Sequence, residues 1–175
     1  NQLRRNDVDV IHGEGAFADP HTLVVTDGRS ERHLSADKIV IAVGTRPAPP
    51  PGMPADGQTI LTSDDVVGLA QVPRAMVVVG GGVIGIEYAC MFATLGVPVT
   101  LVEKRDRPLE FLDREIVDEL MHQMRNRNVT FRLGEAVRSV RVAGGPTRAA
   151  EVELESGKRI VSEMVLFSAG RHGAT

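Results

Sequence analysis

The 175-residue sequence predicts an α/β fold, and three observations carry that expectation. From Ala75 an apolar strand, a glycine turn, an apolar-faced helix and a second strand follow in the order of a βαβ unit. Two apolar runs, 38–43 and 164–167, suit strands covered on both faces. Between the first of these and the βαβ unit, residues 46–57 hold five of the ten prolines and read as an extended connector at a domain boundary.

Taken in order, Val8–Ile11, Thr22–Thr26 and Lys38–Val43 are β-rich runs bounded by turn residues, with Asp27-Gly28 placed to turn a hairpin between the second and third. Ser63 followed by Asp64 and Asp65 reads as the N-cap and acidic first turn of a short helix that Pro73 ends. Met76–Val79 is a strand. The next helix is expected from Val83 to Leu95, with Ala89 and Ala93 small enough to lie against a sheet and Gly96 closing it. Val99–Glu103 returns as the parallel strand. Asp113 then caps a helix to about Arg127, with Ile116, Val117, Leu120, Met121 and Met124 at helical spacing. Val129–Leu133 is a further strand, 137–142 and 149–155 form a hairpin pair, and Met164–Phe167 is a last buried strand.

Composition narrows the function. Hydrophobic residues at 42% and charged residues at 25% are ordinary for a globular protein. No apolar run approaches the ~20 residues of a bilayer-spanning helix, and the N-terminus lacks a signal pattern, so a cytoplasmic protein without membrane partners is expected. A net charge of -3, no Trp and one Tyr argue against nucleic acid as a partner. The five histidines show no metal-ligand spacing, and no metal site is expected. Cys90 lies inside a helix and reads as packing, while Asp64-Asp65 and Asp113–Glu115 read as helix caps rather than catalytic carboxylate pairs.

Glycine is the informative excess, at 18 residues. Gly80, Gly82 and Gly85 form GxGxxG directly after a strand and at the start of a helix. The first permits a tight turn, the second lets the backbone approach a pyrophosphate, and the third lets helix pack close to strand. The helix N-terminus adds free amides and a positive dipole. Glu103, 18 residues beyond Gly85 at the tip of the next strand, is placed to accept from both ribose hydroxyls of an adenosine. Its charge favours NAD over NADP, although Lys104 and Arg105 follow directly and either could reach a 2′-phosphate if Glu103 rotated away. Glu87, in the first turns of the helix, reads either as a solvated charge or as a cofactor contact. The fold expected is therefore a Rossmann-like βαβ dinucleotide-binding domain with a three-layer (β/β/α) character.

These residues also resemble a known family. Gly13–Phe17 read as a turn, the run Ile39–Pro47, Thr62-Ser63-Asp64, Gly80–Glu87 and Leu166–Arg171 are similar, in order and spacing, to motifs of the FAD-dependent pyridine nucleotide-disulfide oxidoreductases. Within that family Arg105–Glu115 looks most like the soluble transhydrogenase branch, with dihydrolipoamide dehydrogenase as its nearest relative. The resemblance implies that Gly80, Gly82, Val83, Ile84 and Gly85 line the nicotinamide dinucleotide, that Glu103 holds the adenosine ribose, and that Val137 borders the adenine. Glu87, Ala169 and Gly170 would lie toward the nicotinamide. Gly15, Ala16, Ala42 and Gly44 would face FAD, with Val43 standing where the family usually has a hydroxyl. Val83 replaces the aromatic lid of NADPH-preferring members, and Glu110 adds negative charge beside Lys104 and Arg105.

The resemblance further implies that residues 1–62 are a partial FAD-binding segment with its connector and that 63–175 are an NAD(P)-binding domain ending near its C-terminal edge. The family's redox cysteines, active-site histidine and dimerisation domain are not among these residues, so no catalytic residue is expected here. The piece would bind nucleotide without holding FAD or turning over, inside a homo-oligomeric parent. The parent's expected activity is hydride transfer between NADH or NADPH and the other nucleotide through FAD. A disulfide oxidoreductase like dihydrolipoamide dehydrogenase and a non-catalytic redox-sensing module are the alternatives.

Overall fold

A computed structural model describes residues 2–48, 52–53, 55–143 and 149–174. The chain divides into two compact units, Asn1–Val43 and Gly44–Thr175. The 62/63 boundary implied by the resemblance lies inside the second unit, where residues 60–62 are hydrogen-bonded into the main sheet.

The first unit carries one helical turn, α1 (Gln2–Arg5), and an antiparallel sheet of β1 (Glu14–Asp19), β2 (Thr22–Thr26) and β3 (Glu31–Ser35) in that spatial order. Asp27 closes the β2–β3 hairpin, its Oδ1 accepting from the amides of Arg29 (2.9 Å) and Ser30 (2.8 Å). The hairpin expected at Asp27-Gly28 is therefore present, but it leads into Glu31–Ser35 rather than Lys38–Val43. Two runs expected as strands are not strands. Val8–Ile11 is irregular, and Glu14–Asp19, read in sequence as starting with a turn, takes the place beside β2. The short Asp19–Thr22 connection makes that pairing local, so it closes with less entropy loss than a partner farther back. Lys38–Val43 is also irregular, with Val40 86% and Ile41 60% exposed, since no described strand pairs with it and no layer covers it.

The second unit is built on a parallel sheet of β5 (Ile60–Thr62), β6 (Met76–Val79), β7 (Val99–Glu103), β8 (Val129–Leu133) and β12 (Met164–Phe167), ordered β5-β12-β6-β7-β8. Helices α2 (Val83–Thr94) and α3 (Arg114–Arg125) follow β6 and β7. A meander of β9 (Val137–Ala143), β10 (Ala149–Leu154) and β11 (Arg159–Ser162) forms a separate antiparallel sheet. A two-stranded ribbon joins β4 (Thr45–Pro47) to β13 (Arg171–Gly173).

The period of two along each parallel strand separates two cores. Met76 and Val78 of β6, with Leu101, Leu166 and Leu61, pack with Ile86, Ala89, Phe92 and Ala93 of α2 and Val117, Met121 and Met124 of α3. Val77, with Val102, Val165, Phe167 and Ile60, packs on Ala150, Val152 and Leu154 of the meander. This is the three-layer β/β/α arrangement expected. Asp113 caps α3 as read from sequence, accepting from the Glu115 amide at 2.9 Å. Ile116, expected on the buried stripe, is 63% exposed because the stripe centres on Val117, Met121 and Met124 at i, i+4 and i+7. The helix expected after Ser63 shrinks to a single 3-10 turn, Val66–Gly68. There Asp65 turns back to accept from the Thr62 amide (2.7 Å) and hydroxyl (2.8 Å) instead of capping forward, and two valines and a glycine are poor helix formers. The lone tyrosine, Tyr88 of α2, donates to the Ser63 carbonyl at 3.2 Å and ties that turn to the helix.

Candidate nucleotide-binding site

The site grows from the turn between β6 and α2, and its glycines carry distinct constraints. Gly80 has φ +107, and a Cβ there would lie 2.8 Å from the Ser168 carbonyl oxygen. At Gly85 a Cβ would fall on the Gly80 carbonyl oxygen, so this glycine sets how closely α2 approaches the strand. Gly82 is different. It is the N-cap of α2 in extended backbone, and a Cβ there would meet nothing within 4 Å. Open space therefore lies over the helix N-terminus.

Gly81, which the motif leaves as any residue, is constrained as tightly. A Cβ there would lie 2.9 Å from both Glu103 Oε2 and Pro108 Cβ. Its amide donates to Glu103 Oε2 at 2.5 Å, and its carbonyl accepts from the Leu109 amide at 3.0 Å. Glu103 is 5% exposed and also binds Arg105: Oε1 accepts from the Arg105 amide and Nε, and Oε2 accepts from Nη2, all at 2.9 Å. Burial opposes ionisation of this carboxyl, but the Arg105 side chain and the two backbone amides outweigh it and lower the pKa below its ordinary value. The glycine turn is thus held from below by a buried anion.

A cavity of about 880 Å³ opens beside this turn. Of the residues singled out from sequence, Gly80, Gly82, Val83, Ile84, Glu103, Lys104, Val137, Ala169 and Gly170 line it. Gly85 lies beneath the turn. Glu87 is exposed and lines a neighbouring cavity with Ser63, Asp64 and Tyr88. Of the residues expected to face FAD, Gly15 and Ala16 lie on β1, Ala42 is in the irregular stretch of the first unit, and Gly44 opens the second. Among the described residues no cluster of His, Cys, Asp and Glu could hold a metal ion. No described helix is long and apolar enough to cross a membrane.

Ser168, Arg138 and Arg171 are among the lining residues assigned no role from sequence. Ser168 donates to the Val79 carbonyl at 2.9 Å and fixes the strand end from which Gly80 departs. Arg138 lines the cavity from β9. Arg171 donates from Nη1 to Ser63 Oγ (2.7 Å) and Asp64 Oδ1 (2.9 Å), from Nε to Thr45 Oγ1 (2.7 Å) and from Nη2 to the Thr45 carbonyl (2.9 Å). It therefore joins the β4–β13 ribbon to the turn after β5. Its place directly after Ser168-Ala169-Gly170 was the only signal in the sequence.

The cavity lies at the carboxyl ends of β6, β7 and β12, where the strand order reverses on either side of β6. Parallel sheet, glycine turn, acid at the end of β7 and cavity at the reversal point together define the Rossmann-like class of FAD/NAD(P)-binding folds. Residues 1–175 match the family described as pyridine nucleotide-disulphide oxidoreductase, and the chain belongs to it. The chain is 51% identical over 177 residues to the soluble pyridine nucleotide transhydrogenase of Mycobacterium tuberculosis, covering 100% of this chain and 37% of that protein. It therefore spans little more than a third of that relative. Among solved structures it is similar to LpdA from Mycobacterium tuberculosis, with TM-score 0.82, 29% identity, and coverage of 97% of this chain and 38% of that one. It is also similar to the HOCl-induced flavoprotein disulfide reductase RclA from Escherichia coli, with TM-score 0.74, 29% identity, and coverage of 97% and 38%.

Proposed function

We propose that the Gly44–Thr175 unit is the nicotinamide dinucleotide seat of a flavin-dependent oxidoreductase that passes hydride between NADH or NADPH and NAD+ or NADP+ through FAD. The observation that carries this reading is the open space over Gly82 at the N-terminus of α2, inside the cavity that Glu103 and Val137 also line. A pyrophosphate would take the free amides of the first turn of α2, with no side chain in the way and the helix dipole in its favour. Glu103 would face the adenosine ribose, Val137 the adenine, and Ala169 and Gly170 the nicotinamide. The nicotinamide carries the hydride; these residues bind and orient it. Gly15, Ala16, Ala42 and Gly44 would face FAD in the parent protein, where the flavin would relay the hydride. The similarity to the soluble transhydrogenase supports the nucleotide-to-nucleotide reading. The similarity to a flavoprotein disulfide reductase keeps disulfide reduction as the second reading.

NADH titration of the 175-residue chain tests the seat, and the lack of tryptophan leaves nucleotide emission free of an indole background. Saturable enhancement of NADH fluorescence supports the reading. A folded chain with no saturable response to NADH or NADPH overturns it.

A further inference from the structure

Glu103 and Glu135 are the acids that line the cavity, and only Glu103 has been given work so far. Glu135 follows Gly134, whose φ of +65 turns the chain between β8 and β9. Backbone bonds sew that turn to the segment leaving β7: the Gly134 amide donates to the Arg105 carbonyl at 3.0 Å, and the Glu135 amide to the Glu103 carbonyl at 3.1 Å. The acid is thereby fixed beside the end of β7, where the ribose is expected, and two residues before Val137, which is expected at the adenine. Its side chain is 11% exposed, and Lys158 Nζ donates to Oε1 at 2.6 Å from a side chain that is 61% exposed. Hydrogen bonds from Lys158 and Ser156 hold the carboxyl below its ordinary value, so it is ionised at neutral pH. A carboxylate offers about four lone-pair sites, and these donors leave an acceptor position for a ligand. The neighbouring cation, Arg138, is directed instead to Glu153 Oε1 at 3.7 Å and to the Glu155 carbonyl at 3.3 Å.

We propose that Glu135 is a base-specificity residue whose carboxylate accepts from the 6-amino group of adenine, an inference that rests on the nucleotide-seat reading above. It selects adenine dinucleotides over those whose purine carries an oxygen at position 6. The two rings have the same outline, so the apolar contact with Val137 does not tell them apart. An amino group donates to the carboxylate, whereas a carbonyl oxygen brings its lone pairs against a fixed anion and leaves that anion without a donor. Lys158 anchors the anion from the solvent side, which keeps it from swinging out to water when the wrong base enters.

The test is parallel fluorescence titration of the 175-residue chain with NADH and with reduced nicotinamide hypoxanthine dinucleotide, reading the ratio of the two dissociation constants. Both carry the same emitting ring and differ at the purine. Wild type is expected to bind NADH about tenfold more tightly, because the hypoxanthine oxygen leaves Glu135 unpaired. Glu135→Ala removes the acceptor and should bring the two constants within about twofold of each other. Glu135→Gln keeps the volume, and its amide can accept from an amine or donate to an oxygen, so it too should erase most of the preference. A wild type that binds both nucleotides equally, or a preference unchanged in both variants, would overturn the role of Glu135 while leaving the seat intact. Equal weakening of both nucleotides in Glu135→Ala would overturn it as well, since that is the mark of packing. A folded wild type that takes neither nucleotide would refute the seat itself. If Glu135→Ala does not fold, the glutamine variant decides by the same ratio.

Discussion

Gly82 and Gly85 belong to one motif, yet the structure assigns them opposite sensitivities. Gly82 sits in backbone that any residue can adopt, with open space around its Cβ position, so Gly82→Val should fold and melt like wild type while NADH affinity falls by at least about tenfold. At Gly85 a methyl would collide with the Gly80 carbonyl, and Gly85→Ala should cost at least about 2 kcal/mol of stability in urea unfolding. The motif was legible because both constraints select glycine, but only the structure separates the one that packs from the one that stands clear. Gly81 was missed because the Glu103 carboxylate that fills its Cβ position arrives from 22 residues away. The grip of Arg105 on Glu103 was missed for another reason: from sequence, a basic residue two positions after an acid at a strand end can as readily face solvent.

Glu103 also gives the molecule a pH signature. Its pKa is lowered in the folded state, so its stabilising contribution is full above the unfolded carboxylate value near ~4.3 and is lost as pH falls through the folded value. Glu103→Gln can still accept from the Gly81 amide but loses the charge that Arg105 matches. The stability gap between wild type and Glu103→Gln should therefore be widest near neutral pH and close steadily below about pH 4, which urea midpoints across that range would measure. A gap that does not change with pH would show that Glu103 acts through its shape alone.

Among the elements, those with strong periodicity were the legible ones. β6, α2, β7, α3, β8 and β12 fall within a residue or two of expectation, because each buries a stripe or an alternating face in a neighbouring layer. The β4–β13 ribbon was invisible: each strand is three residues long, shows no alternation, and finds its partner more than a hundred residues away. Lys38–Val43 failed for the converse reason. Its composition is that of a covered strand, but composition cannot supply the hydrogen-bonding partner that makes a strand. Two acidic openings read alike in sequence also diverged. Asp113 caps α3, so Asp113→Ala should cost about 1 kcal/mol in urea unfolding. Asp64 instead meets Arg171, and its replacement should leave α2 and α3 equally protected from hydrogen exchange.

At the scale of the whole molecule the two units differ in what holds them. None of the described residues before Gly44 is buried, whereas the second unit has two apolar cores on opposite faces of one sheet. Hydrogen exchange should therefore report amides of β1–β3 opening at least about a hundredfold faster than those of β6, β7 and β12. Uniform protection across both units would contradict that division.

The Tyr88 contact with the turn after β5 makes the molecule its own optical probe. With one phenol and no indole, ultraviolet emission comes from a single ring seated between α2 and that turn, so its intensity and lifetime should register any parting of the two surfaces without an attached dye. Ser63, whose carbonyl accepts from Tyr88, also lines the cavity beside the glycine turn, so the phenol should report any ligand that displaces the turn at Ser63.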